Sequence, residues 1–219
     1  MADGQRARRA YNSPRRQQQA AATRRAILEA AARLFERDGY PATTMEAIAG
    51  EAGLSLKTVY LPFTTKSGLL RALWDLRLKG EDTGAPVVQH GWFREVMEEN
   101  DPVRKLELNA RNSRAAKTRI GRMFKVIRGA AEIDDDCAAL WRLIQSDFHA
   151  NQRMIVESLD RLGALRPGLS VARGTDVLWT LNHPDVWILL VDERGWAPKA
   201  YQGWLAQTSC AQLLGTPIA

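Results

Sequence analysis

The stretch that decides the fold is "AGLSLKTVYLPFTTK", Ala52 to Lys66. Ala49, Gly53 and Val59 stand at the spacing small, three residues, glycine, five residues, β-branched. A small residue at 49 lets one helix approach the next. Gly53 takes the left-handed backbone that other residues resist, and Val59 plugs the angle between the two helices. That arrangement is a helix-turn-helix, whose second helix suits a DNA major groove. On that helix Val59 and Phe63, four apart, point inward, leaving Leu56, Lys57, Tyr60 and Leu61 facing outward. Lys57 can donate to guanine O6/N7 or a phosphate, and Leu56 or Leu61 can meet a thymine methyl. The hydroxyls of Ser55, Thr58 and Tyr60 suit phosphate oxygens, which set register. Lys66 opens the following helix, where free N–H groups favour a phosphate. Pro62 lacks a backbone donor and disfavours helix at Leu61, which predicts a shortened recognition helix.

Working outward, Ile27, Ala31, Leu34 and Phe35 form one helical face that Asp38-Gly39 should end with a left-handed cap. Thr43 and Glu46 have capping-box spacing for the second helix, Ser55 can cap the third, and Thr64 or Thr65 the fourth. The fourth carries Leu69, Leu70, Leu73 and Trp74 to about Lys79, and "GEDTGAP", residues 80–86, is the best boundary between two helical units. Upstream, residues 1–20 read as a basic disordered tail able to become helical near its end; its Arg6, Arg8, Arg9, Arg15 and Arg16 either enter a minor groove or only add nonspecific affinity. Downstream the spacing predicts only helices, roughly 88–99, 103–118, 120–131, 135–163, 170–192 and 198–214. The fold class is therefore all-α, with a tail over 1–20, a DNA-binding domain over 21–66, a connecting helix and linker over 67–84, and a helical ligand-binding and dimerisation domain over 85–219.

The charge distribution agrees with a polyanion partner. Of a net +6, residues 1–66 carry +5 and residues 67–219 only +1, and a concentrated positive field is what displaces counterions from DNA. No run of 18 apolar residues occurs and the N-terminus has no apolar signal core, so a cytoplasmic protein with no membrane span is expected. Cys137 and Cys210 lie far apart and read as reduced thiols. His90, His149 and His183 lack metal-ligand spacing, and Asp147 and His149, two apart, diverge on a helix. With no nucleophile–base logic and no phosphate loop, neither catalytic residues, a metal nor a cofactor is expected. Asp134–Asp136 precede a long helix and read as a cap. The basic series Arg104–Arg128 reads as a solvated face or one paired with the acids at Glu95–Asp101, an acidic ligand or partner being the alternative.

The segment "TRRAILEAAARLFERDGYPATTMEAIAGEAGLSLKTVYLPFTTKSGLLRAL" resembles the N-terminal domain of the TetR family of transcriptional regulators. The resemblance rests on the Ala-Ala-x-x-Leu-Phe of the first helix, Gly39-Tyr40, Thr43-Thr44, Ile48-Ala49, Ala52-Gly53, Thr58-Val59-Tyr60, Phe63 and Lys66. It implies a homodimer reading a roughly palindromic double-stranded operator, usually as a repressor released by a small molecule. It also implies DNA contacts at the positions of Thr44, Lys57, Thr58, Tyr60 and Lys66. Pro62 departs from the family, which often has His there, and removes the phosphate contact a His would make.

Residues 80–219 resemble that family's regulatory domain more weakly, chiefly over "DVLWTLNHPDVWILLVDERGWAPKAYQGWLAQ". The family's last two long helices pair between subunits. Here Val177, Leu178, Leu181, Ile188 and Leu189 line one helix, and Tyr201, Trp204, Leu205 and Thr208 stripe the next. Leu178, Ile188, Tyr201, Trp204 and Leu205 are therefore the expected dimer seam, an internal core being the alternative. Pro184 should kink its helix and open a cavity. Trp92, Phe124, Trp141, Phe148 and Trp179 are its expected walls, with His183, Asp147, His149 and Asn182 as polar anchors. A ligand-responsive regulator is the leading expectation. A nonspecific DNA-coating protein would share the basic head but need no pocket; a helical enzyme would need chemistry the sequence does not display.

Overall fold

The computed structural model describes residues 14–79 and 90–214. Among these, helices α1 (Pro14–Ala42), α2 (Met45–Ala52), α3 (Leu56–Tyr60) and α4 (Lys66–Lys79) form the N-terminal unit. Helices α5 (Gly91–Glu98), α6 (Pro102–Ala131), α7 (Asp135–Arg161), α8 (Val171–Leu181), α9 (Pro184–Trp187) and α10 (Pro198–Leu213) form the rest. A wide π-helical turn, Ile188–Glu193, continues α9. The expected boundary at 80–86 and Arg6, Arg8 and Arg9 of the tail lie outside the described residues.

Several local expectations change. Helix α1 begins at Pro14, inside the stretch read as tail, and breaks at Gly39, whose φ of 80° and ψ of 166° fall outside the left-handed helical cap region. Thr44, not Thr43, caps α2: its side chain accepts from Ala47 N–H, while Thr43 is buried and donates to the Gly39 carbonyl. Residues 102–131 form one helix rather than two. Gly121 does not break α6; a Cβ there would sit 3.1 Å from the Trp187 indole nitrogen, so the glycine is where α9 packs close. Pro184 does not kink a continuous helix. The helix stops at Leu181, His183 caps the next, and Pro184 fills its first turn, where a missing N–H costs nothing.

The N-terminal helices share a core with α6 and α7, from Ile27, Phe35, Ile48, Val59 and Leu70 through to Phe124 and Leu140. Its top is tied by polar groups. Asp134 caps α7 by accepting from Cys137 N–H at 3.0 Å and also accepts from the Tyr40 hydroxyl at 2.7 Å, while Ser67 of α4 donates to Asp136 at 3.0 Å. The acidic triplet is thus a cap, as expected, that also ties α7 to α1 and α4. Both cysteines are buried and unpaired.

Candidate nucleic-acid interface and ligand chamber

The recognition helix is as short as Pro62 predicts. It spans Leu56–Tyr60, capped by Ser55, whose hydroxyl accepts from Thr58 N–H at 3.2 Å. Leu61 nevertheless keeps helical dihedrals, and Phe63 N–H still reaches the Val59 carbonyl at 3.3 Å. Gly53 has φ 68°, the left-handed conformation its turn needs. Val59 and Phe63 are buried; Lys57, Tyr60 and Leu61 are exposed, Leu61 by 77%. Leu56 does not point freely outward, because it is partly buried against the first core. Thr44 and Ser55 are exposed, Thr58 half-buried, and each of the three is already in a capping hydrogen bond.

Lys66 is placed differently from the expectation of a free ammonium. Its Nζ donates to the carbonyls of Tyr40 at 2.8 Å and Thr43 at 2.9 Å and lies 4.1 Å from the Tyr40 ring centroid. Burial lowers its pKa. Two of its donors therefore hold the corner between α1 and α2. Arg24 has a comparable role that the sequence did not suggest: its guanidinium lies 4.4 Å over the Phe63 ring and donates to the Pro62 carbonyl, which fixes the end of α3 against α1.

Below this head, α4, α5, α6 and α7 enclose a chamber of about 540 Å³. Of the expected walls it contains Trp92, Phe124 and Phe148, and of the polar anchors Asp147 and Asn182. Four residues are corrected. Trp141 packs on the core side against Phe124. Trp179 and His183 meet edge to face, ring centroids 4.8 Å apart, outside the chamber. His183 is held there because its Nδ1 accepts from Asp185 N–H while Nε2 faces the Gln145 amide at 2.9 Å. Burial keeps its pKa low, against the opposing pull of Asp185. His149 pairs with Asp176 near the surface instead.

Residues that pattern reading missed include the polar end of this chamber. Lys117, placed by sequence in a solvated basic face, is buried in the wall. Its Nζ lies 2.6 Å from the Asn182 carbonyl, 2.7 Å from Asn182 Oδ1 and 2.6 Å from the Tyr201 hydroxyl. Burial pushes its pKa well below the usual lysine range, and that of Tyr201 upward. No local signal could find this group, since its partners lie 65 and 84 residues away.

The expected dimer seam is also corrected. Leu178, Ile188, Tyr201 and Leu205 are buried inside the single chain, Tyr201 beneath Trp187 at 4.9 Å. An apolar stripe identifies a covered face without saying what covers it, and here α6, α8 and the π-helical turn do. Only Trp204 of the five keeps partial exposure, beside the exposed Trp196.

Residues 27–73 match the family model described as bacterial regulatory proteins, tetR family. The HTH-type transcriptional regulator TtgR of Pseudomonas putida is 28% identical over 186 residues, 81% of this chain and 86% of that relative. The N-terminal helices thus match the tetR-family segment, and TtgR is similar over most of the chain. Two solved structures share this fold over most of both chains. One is NalD of Pseudomonas aeruginosa, the secondary repressor of the MexAB-OprM multidrug efflux pump, with TM-score 0.65, 23% identity, and coverage of 90% of this chain and 98% of that one. The other is a SmeT–triclosan complex, with TM-score 0.70, 19% identity, and coverage of 88% and 92%. The matched segment falls within α1–α4, with the chamber below it. Among the described residues no helix is long and apolar enough to cross a membrane, and no His, Cys, Asp and Glu cluster could hold a metal.

Proposed function

We propose that the chain is a homodimeric repressor of a palindromic operator, released when a small molecule fills the chamber. The observation that carries this reading is the course of α4. Its first turn, at Lys66 and Ser67, is bonded into the head and to α7; one turn on, Arg71, Trp74, Asp75 and Leu78 line the chamber. A ligand that binds one setting of α4 better than another thereby biases the head. Operator binding needs the two heads about 34 Å apart, one DNA turn, and a ligand-filled chamber would favour a different spacing.

In this reading Lys57, Tyr60 and Leu61 face the groove, Thr44, Ser55 and Thr58 lie at the phosphates, and Lys66 and Arg24 position the reader. The subunits would meet through the partly exposed Trp196–Trp204 pair and its neighbours on α10. NalD, described as a repressor, and SmeT, seen with triclosan, support the same division of labour. The test is fluorescence anisotropy of duplexes tiled upstream of this protein's own gene. One tile binding about a thousandfold more tightly than scrambled DNA is the expected result. Equal binding to every duplex with a steep salt slope would instead favour the coating role.

A further inference from the structure

The chamber is apolar for most of its wall, with Trp74, Trp92, Phe93, Ile120, Phe124 and Ile144 among its lining residues. Its charged groups are unevenly disposed. Arg71 and Asp147 are exposed and Asp75 is half-exposed, so water screens them. Lys117 is the lining cation that is fully sequestered, at 5% exposure. All three of its contacts are to neutral groups of Asn182 and Tyr201. A buried amine with no carboxylate against it is a costly arrangement, and proteins normally pair such a group.

Lys105 gives the contrast. It is as buried, but its ammonium ends the turn of α5 on the carbonyls of Val96 and Met97, Glu99 acts on it, and it does not line this chamber. Its position is explained by helix capping alone. Lys117 also reaches a helix-terminal carbonyl, that of Asn182, yet it borders empty space as well.

We propose that the chamber takes a singly charged organic acid with an aromatic or apolar body, its oxyanion seated on the Lys117 amine. This rests on the reading of the chamber as the effector site and names the class of effector. An arriving oxyanion competes with Asn182 Oδ1 and the Tyr201 hydroxyl, both weaker acceptors toward an ammonium than a charged oxygen. Low polarity around the amine strengthens the ion pair relative to one at the mouth. The same exchange explains how occupancy is felt beyond the chamber. Asn182 joins α8 to α9 and is bonded to Ser113 and to Gln152 of α7, while Tyr201 belongs to α10. Drawing the amine toward a ligand loosens its hold on both.

The experiment uses the full chain and two isosteric probes, 2-naphthoate and 2-naphthamide, titrated by calorimetry. The wild-type chain should bind the acid about tenfold or more tightly than the amide, a difference of about 1.4 kcal/mol. Lys117→Met should abolish that preference while still binding the amide. Arg71→Gln, an exposed change that leaves the fold intact, should keep the preference. A wild-type chain that treats both probes alike, prefers the amide or takes neither overturns the assignment. So does loss of the preference in Arg71→Gln, which would place the anion at the mouth, a result readable even if Lys117→Met does not fold. Release of operator DNA is measured separately: acid-selective binding that leaves DNA bound keeps the ligand class and removes the release reading.

Discussion

Lys57 and Lys66 were given related tasks by their spacing, and their surroundings separate them. Lys57 stands exposed on α3, whereas Lys66 spends two donors on backbone carbonyls. Lys57→Ala should therefore reduce discrimination between operator and scrambled DNA by about 1–3 kcal/mol; equal losses on both duplexes would count against base reading. Lys66→Met should cost about 1–3 kcal/mol of stability in urea unfolding, the scale of hydrogen bonds from a charged donor. It should weaken binding to every duplex alike while changing the salt slope by less than one. A slope lower by about one would return Lys66 to the phosphates. That Lys66 opens a helix was legible because caps and first turns are local. That its ammonium folds back on residues 23 and 26 positions earlier was not, because local pattern carries no information on such a corner.

At the scale of elements, the joint between α8 and α9 is set by one ring. His183 Nδ1 accepts from Asp185 N–H, a bond that requires the ring to be neutral. Burial lowers its pKa below the ordinary 6.5, so the unfolded chain takes up a proton first as pH falls. The neutral ring's contribution is full above about pH 6.5 and is lost as pH drops below it. His183→Asn keeps a side chain suited to capping and removes the titration. Its unfolding midpoint should fall less steeply than the wild type's between pH 7.5 and 5; parallel curves would reject the role. The helix-turn-helix was legible because Gly53, Val59 and Ser55 each act within a few residues. Pro184 misled because a proline reports that a helix is perturbed, and only His183's capping bond and the packing of Trp187 on Gly121 turn perturbation into a break.

For the whole molecule, the apolar periodicity of α8 and α10 was read correctly as a covered face and assigned to the wrong cover. Tyr201 and Leu205, at 0% exposure, belong to the chain's own core, so charge there should unfold the protein. Trp196, 37% exposed and beside Trp204, is the better probe of association. Trp196→Glu should give monomers by light scattering with its helical circular dichroism unchanged, and a surviving dimer would move the seam elsewhere. The joint between head and chamber has one more chemical property. Cys137 sits at the start of α7, fully buried, its thiol pushed up to about 11 mainly by burial. Oxidants and electrophiles attack thiolate, so burial shields the one thiol described at this joint from them. On the proposed reading, a switch built around such a thiol would answer to the occupant of its chamber and stay deaf to the redox weather around it.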